Sequence, residues 1–274
     1  MRHDEQTHRT ADGASIFWQQ WLPDGDPVGV VCLVHGLGEH SGRYGYVAER
    51  MTDAGYAVYA LDLRGHGNSG GTRGDLRVDD AVSDIADLVA AAQSDNPDLP
   101  VFLYGHSLGG LLTMTYVVRR RPAVNGMVAS APALDSELRE QKVKFTAANI
   151  LGGIVPGVTI PTGLDAEGVS RDPEVVAAYL ADPLVHDKGS LALAKQTFSA
   201  MDAMMATTRF PIPLLIIHGT ADRLTVPSAS RVFADNTEGD ITLVEYPGMY
   251  HEPHNEPEKA EVLDEVLAWM APHA

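Results

Sequence analysis

The chain has one cysteine in 274 residues, 20 Lys and Arg against 37 Asp and Glu, and no apolar run long enough to cross a bilayer. A single thiol cannot form an internal disulfide. Cys32 lies inside the apolar run VGVVCLVHG, which makes it a core residue rather than a nucleophile. A net charge of −17 lacks the clustered cations that nucleic acid or anionic lipid would require, so no nucleic-acid partner is expected and the charge serves solubility. The opening MRHDEQTHRT has no apolar core of the kind a signal peptide carries, and cytoplasmic residence is the expectation. What the chain does have is 45% hydrophobic residues, enough for one globular domain with an insertion.

Short apolar runs rich in Val, Ile and Tyr recur: VGVVCLVHG, YAVYALDL, VFLYG, VNGMVASAP, PLLIIHG and ITLVEYPG. Runs that are apolar on both faces suit strands buried within a parallel sheet. Helical spacing separates them, as in VDDAVSDIADLVAAAQ, where Val78, Val82, Ile85, Leu88 and Val89 share a face. The alternation predicts an α/β fold with a mostly parallel central sheet flanked by helices. It lapses after ASAPAL and resumes at PLLIIHG, and so long a gap implies a mainly helical inserted cap with no clear strand. The expected division is a core over residues 1–134, a cap over 135–208 and a second core segment over 209–274. In the cap, LALAKQTFSAMDAMMATT places Leu191, Leu193, Phe198, Met201, Met204 and Met205 at mostly helical spacing. These side chains either pack the cap onto the core or line a pocket for an alkyl chain.

Two stretches fit Gly-x-Ser-x-Gly, one centred on Ser107 and one on Ser69. A serine nucleophile of this type needs a sharp strand-to-helix turn, and only Ser107 stands between a strand pattern and a helical one. Ser69 belongs to a glycine-rich loop and is expected to be structural. The serine needs a base, and the base needs an acid, in the chain order Ser, acid, His. Asp222 follows the strand PLLIIHG at the sheet's carboxyl edge, whereas Asp235 and Asp240 flank a surface helix and Glu245 lies inside a strand. The base comes from GMYHEPHNEP, which offers both His251 and His254. Asn255, with Glu258 three residues on, fits an N-cap with its capping-box partner, so a helix is expected to begin just beyond His254. That leaves His251 nearer the strand end, and the local pattern favours it without excluding His254. Oxyanion donors are expected from the backbone amides of Leu108, at a helix N-terminus, and Leu37, in the loop after the first core run.

VHGLGEHSGRY, ALDLRGHGNSGG, GHSLGG, YLADPLV, GTADRLTVP and YHEPHNEPE, in that order, resemble the monoacylglycerol lipase family of the α/β-hydrolase superfamily, in the serine aminopeptidase S33 and lysophospholipase-like group. The resemblance runs from about residue 13 onward. It implies a cap after the sixth core strand, hydrolysis of monoacylglycerols to fatty acid and glycerol through an acyl-enzyme, and neither cofactor nor metal. By motif it assigns the nucleophile to Ser107, the acid to Asp222, the base to His251, and the oxyanion amides to Leu37 and Leu108. It also implies that Glu39, Arg43, Tyr179 and His254 surround the glycerol group. Each has a structural alternative: Glu39 and Arg43 pairing with each other, Tyr179 packing the cap, His254 leading the chain into its helix. His106 has the alternative of hydrogen bonding within the core. An apolar cap face could also meet lipid interfaces. The rival functions are a carboxylesterase or lysophospholipase of the same fold and a non-catalytic binding protein. A dehalogenase would need Asp where Ser107 stands.

Overall fold

The computed structural model describes residues 1–136 and 155–274. Strands β1 (Arg2–Arg9), β2 (Ser15–Leu22), β3 (Gly29–Val34), β4 (Tyr56–Leu61), β5 (Val101–His106), β6 (Gly126–Ser130), β9 (Leu214–Gly219) and β10 (Ile241–Tyr246) form one sheet in the order β1-β2-β4-β3-β5-β6-β9-β10. From β4 to β10 every pairing is parallel, while β2 joins β4 and β1 joins β2 antiparallel. The six apolar runs are the six parallel strands.

The lack of alternation in the five inner ones, β3, β4, β5, β6 and β9, has a direct cause, because helices cover both faces. On one side Val30, Cys32 and Val34 of β3 join Leu103, Leu214 and Ile216 and meet helices α2 (Val78–Asp95), α3 (Leu108–Arg120) and α6 (Pro227–Asn236). On the other side Val31 and Leu33 join Phe102, Tyr104, Leu215 and Ile217 against α1 (Gly45–Asp53) and α7 (Lys259–Met270). Each such side chain contributes roughly 1.5–3 kcal/mol by leaving water, so neither face of a central strand tolerates a polar residue without a partner.

Strand β1 is a feature the sequence did not signal. Its residues are polar on both faces and almost wholly exposed, yet all eight pair with β2. His3 stacks on Trp21 at 4.9 Å and His8 on Trp18 at 4.1 Å, so two imidazoles shield the tryptophans of β2 at the sheet edge.

The chain leaves the sheet after β6 and re-enters at β9. In between lie α4 (Pro173–Ala181), α5 (Leu191–Met205) and, contrary to the expected absence of strands, the antiparallel pair β7 (Thr159–Pro161) and β8 (Lys188–Ser190). Three-residue strands are too short to leave a periodic signature. The apolar stretch that opens at Ile150 lies outside the described residues through Ile154. Among the described residues no helix is long and apolar enough to cross a membrane.

Candidate active site

Ser107 occupies the single position between the end of β5 and the start of α3, with φ 53° and ψ −119°. That backbone conformation costs a side-chain-bearing residue about 1–3 kcal/mol and persists only when its surroundings dictate it. They do so here: Ser107 N–H donates to Ser130 O at 2.9 Å, and Ser107 O accepts from Ala133 at 3.0 Å and Leu111 at 3.1 Å. The flanking glycines are required by close approach. A Cβ on Gly105 would lie 2.8 Å from Gly109 O, and one on Gly109 only 2.2 Å from His35 O. Ser69, by contrast, donates to Asp62 O at 2.6 Å and accepts from Phe17 N–H at 2.8 Å, so its hydroxyl braces a loop.

Asp222 lies in the turn after β9. Its Oδ1 accepts from the backbone amides of Leu224 (2.7 Å) and Thr225 (3.1 Å). Its Oδ2 accepts from the Thr225 hydroxyl at 2.7 Å and is 3.0 Å from His218 Nε2 and 2.8 Å from His251 Nδ1. Burial alone would raise this carboxyl's pKa, but the charges and hydrogen bonds of His251 and His218 outweigh it and hold the group far below the usual carboxylate range. His251 feels the converse: burial favours its neutral form, and the Asp222 carboxylate overrides that and raises its pKa. With Nδ1 turned to the carboxylate, Nε2 is the nitrogen left for proton transfer.

Ser107 and His251 line one cavity of about 600 Å³. Its lining also includes Gly36, Leu37, Leu108, Glu39 and Glu252, together with the apolar side chains of Leu164, Val169, Leu193, Phe198, Met201 and Leu224. Of the apolar residues expected on α5, Leu193, Phe198 and Met201 face this cavity, while Leu191 and Met204 are buried away from it. A Cβ placed on Gly36 would lie 3.2 Å from the Ser107 Cβ, so the Gly36–Leu37 loop passes directly over the serine. Leu108 opens α3, and its N–H is among those a helix leaves without an internal partner.

The intervening region grips these loops by backbone. His186 N–H donates to Gly38 O (2.8 Å), while His251 and Glu252 N–H donate to Gly168 O (3.2 Å) and Val169 O (2.8 Å). His40 Nε2 adds a contact to Asp182 Oδ2 at 2.9 Å.

The four residues expected around a glycerol group separate. Glu39 and Tyr179 line the cavity. Arg43 sits behind them, bonded to Glu39 and, through both Nη atoms, to Glu252, with its guanidinium 4.6 Å from the centre of the Tyr179 ring. The pairing of Glu39 with Arg43, weighed as an alternative, is present, and Glu252 joins it.

His254 requires a correction. It is fully buried, stacked on Tyr44 at 4.9 Å and edge-on to Tyr104 and His106, and it does not reach the cavity. The helix it was expected to enter begins only at Lys259, and the Asn255 side chain, read as a cap, instead donates to Glu252 Oε2 at 2.8 Å. A short 3₁₀ turn over Pro253–Asn255 carries the chain inward first.

Among the described residues neither ring nitrogen of His254 has a hydrogen-bond partner, and burial lowers its pKa to about 4. The folded protein therefore takes up fewer protons here than the unfolded chain as pH falls from 6.5, and acid destabilises it. For this one group the loss approaches ~3 kcal/mol near pH 4. His254→Phe keeps an aromatic ring against Tyr44 and is expected to flatten the fall in melting temperature between pH 7 and 5. Identical slopes in variant and parent would refute this account.

Two other residues at the site are given no role by any of the motifs. His218 is the last residue but one of β9, four residues before Asp222, a spacing that could have marked it. Glu252 directly follows His251, but its partner Arg43 is 209 residues away.

Comparison with known proteins shows the family and the fold. The model of the family described as serine aminopeptidase, S33 matches residues 25–258. The monoacylglycerol lipase of Mycolicibacterium smegmatis is 43% identical over 273 residues, covering 98% of this chain and 97% of that protein. Mouse monoglyceride lipase is 34% identical over 270 residues, covering 95% and 88%. The crystal structure of Paleococcus ferrophilus monoacylglycerol lipase superposes with a TM-score of 0.87 at 38% identity, covering 94% of this chain and 99% of that one.

Proposed function

We propose that this chain, which belongs to the serine aminopeptidase S33 family and has the α/β-hydrolase fold, is a serine hydrolase that cleaves monoacylglycerols to fatty acid and glycerol. Ser107 Oγ attacks the ester carbonyl while His251 Nε2 takes its proton, and Asp222 holds the imidazole tautomer and offsets the imidazolium charge. The amides of Leu37 and Leu108 receive the oxyanion, each worth on the order of a hundredfold to a thousandfold in rate. Glycerol departs with the proton from His251, and water then cleaves the acyl-enzyme through the same base. Residues 135–208 act as the cap, and the acyl chain lies along Leu193, Phe198 and Met201. The observation that carries the reading is one cavity that joins the strained Ser107 turn, the His251–Asp222 pair and an apolar wall.

The test is turnover of a monoacylglycerol, a diacylglycerol and a lysophospholipid of one chain length by the purified protein. The monoacylglycerol should be preferred, and a higher kcat/KM for the lysophospholipid would sink the head-group assignment. The cap also exposes Val155, Val158 and Leu180, the last at 66%, as a surface for substrate-bearing lipid. The same preparation should therefore float with neutral liposomes, and failure to do so removes that part of the reading.

A further inference from the structure

Glu39, Arg43 and Glu252 make one ion cluster that is nearly closed to solvent, with Glu39 3% and Glu252 2% exposed. Glu39 Oε1 accepts from the backbone N–H of Gly36 at 2.6 Å and from the Tyr44 hydroxyl at 2.7 Å, and its Oε2 accepts from Arg43 Nη1 at 2.5 Å. The same Nη1 donates to Glu252 Oε1 at 2.7 Å and Nη2 donates to Glu252 Oε2 at 2.8 Å, where the Asn255 amide also donates. Burying three charges is a poor way to gain stability, because desolvation consumes most of the attraction and an apolar replacement often does as well. Their placement is what distinguishes them. Gly36 immediately precedes Leu37, and Glu252 immediately follows His251.

The spatial relation is equally direct. A Cβ on Gly36 would touch both the Glu39 carboxylate, at 2.9 Å, and the Ser107 Cβ, at 3.2 Å. The carboxylate and the serine thus both lie against the Gly36 Cα, close enough that only a glycine fits beside them. Its oxygens already receive three protein donors, two of them on Oε1, which leaves little capacity for a substrate hydroxyl. Arg43 bridges the loop over Gly36–Glu39 to the loop that bears His251, and the Tyr179 ring covers its guanidinium.

We infer that Glu39, through Arg43 and Glu252, is a positioning residue that fixes the Gly36–Leu37 amide over Ser107 and couples that loop to His251, instead of a ligand of the substrate head group. The inference rests on the reading of Ser107 as nucleophile and Leu37 as oxyanion donor. A shift of about 1 Å in an oriented group costs on the order of a hundredfold in rate, so a loosened loop should lower kcat with little effect on KM.

Two esters of one short-chain acid separate the alternatives: the glycerol monoester and the p-nitrophenyl ester, which has no glycerol to recognise. Glu39→Gln, close to isosteric but uncharged towards Arg43, should lower kcat ten- to a hundredfold for both esters by the same factor, with KM within about threefold. Phosphonylation of Ser107 by a fluorophosphonate should slow in parallel. A loss confined to the glycerol ester would make Glu39 a head-group ligand, and unchanged kcat for both would leave it no part in rate. Either result overturns the inference. If Glu39→Gln lacks a cooperative melting transition, Tyr44→Phe takes its place: it removes one donor to the same carboxylate and should lower both kcat values severalfold, while a drop for one ester or neither overturns the inference. Mass mapping of the fluorophosphonate on the parent protein keeps the two levels apart, since a label away from Ser107 defeats the underlying reading and a label on Ser107 leaves the positioning claim to the ester comparison.

Discussion

Replacing Ser107 with alanine is expected to lower kcat for ester hydrolysis by on the order of 10⁶-fold and to abolish covalent labelling by a fluorophosphonate. The expectation rests on there being no substitute hydroxyl at the turn itself among the described residues. Ser69 is committed to Asp62 O and Phe17 N, and Ser130, in the neighbouring strand, is fully buried and 3.2 Å from His106 Nδ1. Alanine keeps a Cβ at φ 53°, so the backbone strain is retained and the melting temperature should barely move. Ser107→Gly makes the complementary case. Glycine has no penalty at positive φ, so this variant should be equally inactive yet more stable by about 1 kcal/mol. Activity lost with stability unchanged in one variant and raised in the other marks the turn as a place where strain is held for chemistry. Retained labelling of Ser107→Ala would defeat the nucleophile assignment outright.

What could be read from the sequence follows the range of the interactions involved. The parallel strands were legible because burial on both faces writes itself into five or six consecutive residues, as in VVCLV and LLIIH. The turn at Ser107 was legible for a related reason: the two glycines that close packing demands are local to the serine. Asp222 could be picked out from other carboxylates because it follows a strand end, and the structure brings it to His251 across 29 residues.

Choosing between the two histidines was harder. The helix start that seemed to separate them belongs at Lys259, and the Asn255 side chain is drawn away to Glu252. A capping pattern is a local signal, and here a tertiary ion cluster outcompetes it. The burial of His254 among Tyr44, Tyr104 and His106 joins three separated parts of the chain and has no periodic trace. The pairing of Glu39 with Arg43 was one reading of the sequence, but Glu252 as the third member comes from the far end of the chain. Likewise, the backbone bonds from His251 and Glu252 to Gly168 and Val169 involve no side-chain identity and could not be inferred from residue type.

Asp222→Asn should lower kcat by about 10⁴-fold, the scale seen when a serine-protease triad loses its acid and the imidazole adopts the wrong tautomer. The geometry explains why an isosteric amide cannot serve. Oδ1 accepts from the Leu224 and Thr225 amides, which fixes the oxygen of an asparagine on that side and turns its NH₂ toward His251 Nδ1, His218 Nε2 and the Thr225 hydroxyl. His251 must then present Nδ1 as an acceptor and carry its proton on Nε2, so it cannot accept from Ser107. The pH dependence should change in a defined direction. In the parent protein the carboxylate raises the His251 pKa above its ordinary 6.5 against the opposing pull of burial. Since only the neutral imidazole acts as base, kcat/KM should fall as pH drops through that raised value, placing the acid limb above pH 6.5. Without the Asp222 carboxylate, burial is opposed only by the charges of Glu252 and Glu39, and the acid limb of the residual activity should move to lower pH. A pH profile of kcat/KM on a soluble ester, with both proteins shown to be folded by melting, measures the shift. A limb that stays in place, or a loss of less than tenfold, would show that His251 takes its charge partner from elsewhere, and Glu252, beside it in the chain but held by Arg43 and Asn255, would be the next carboxylate to test.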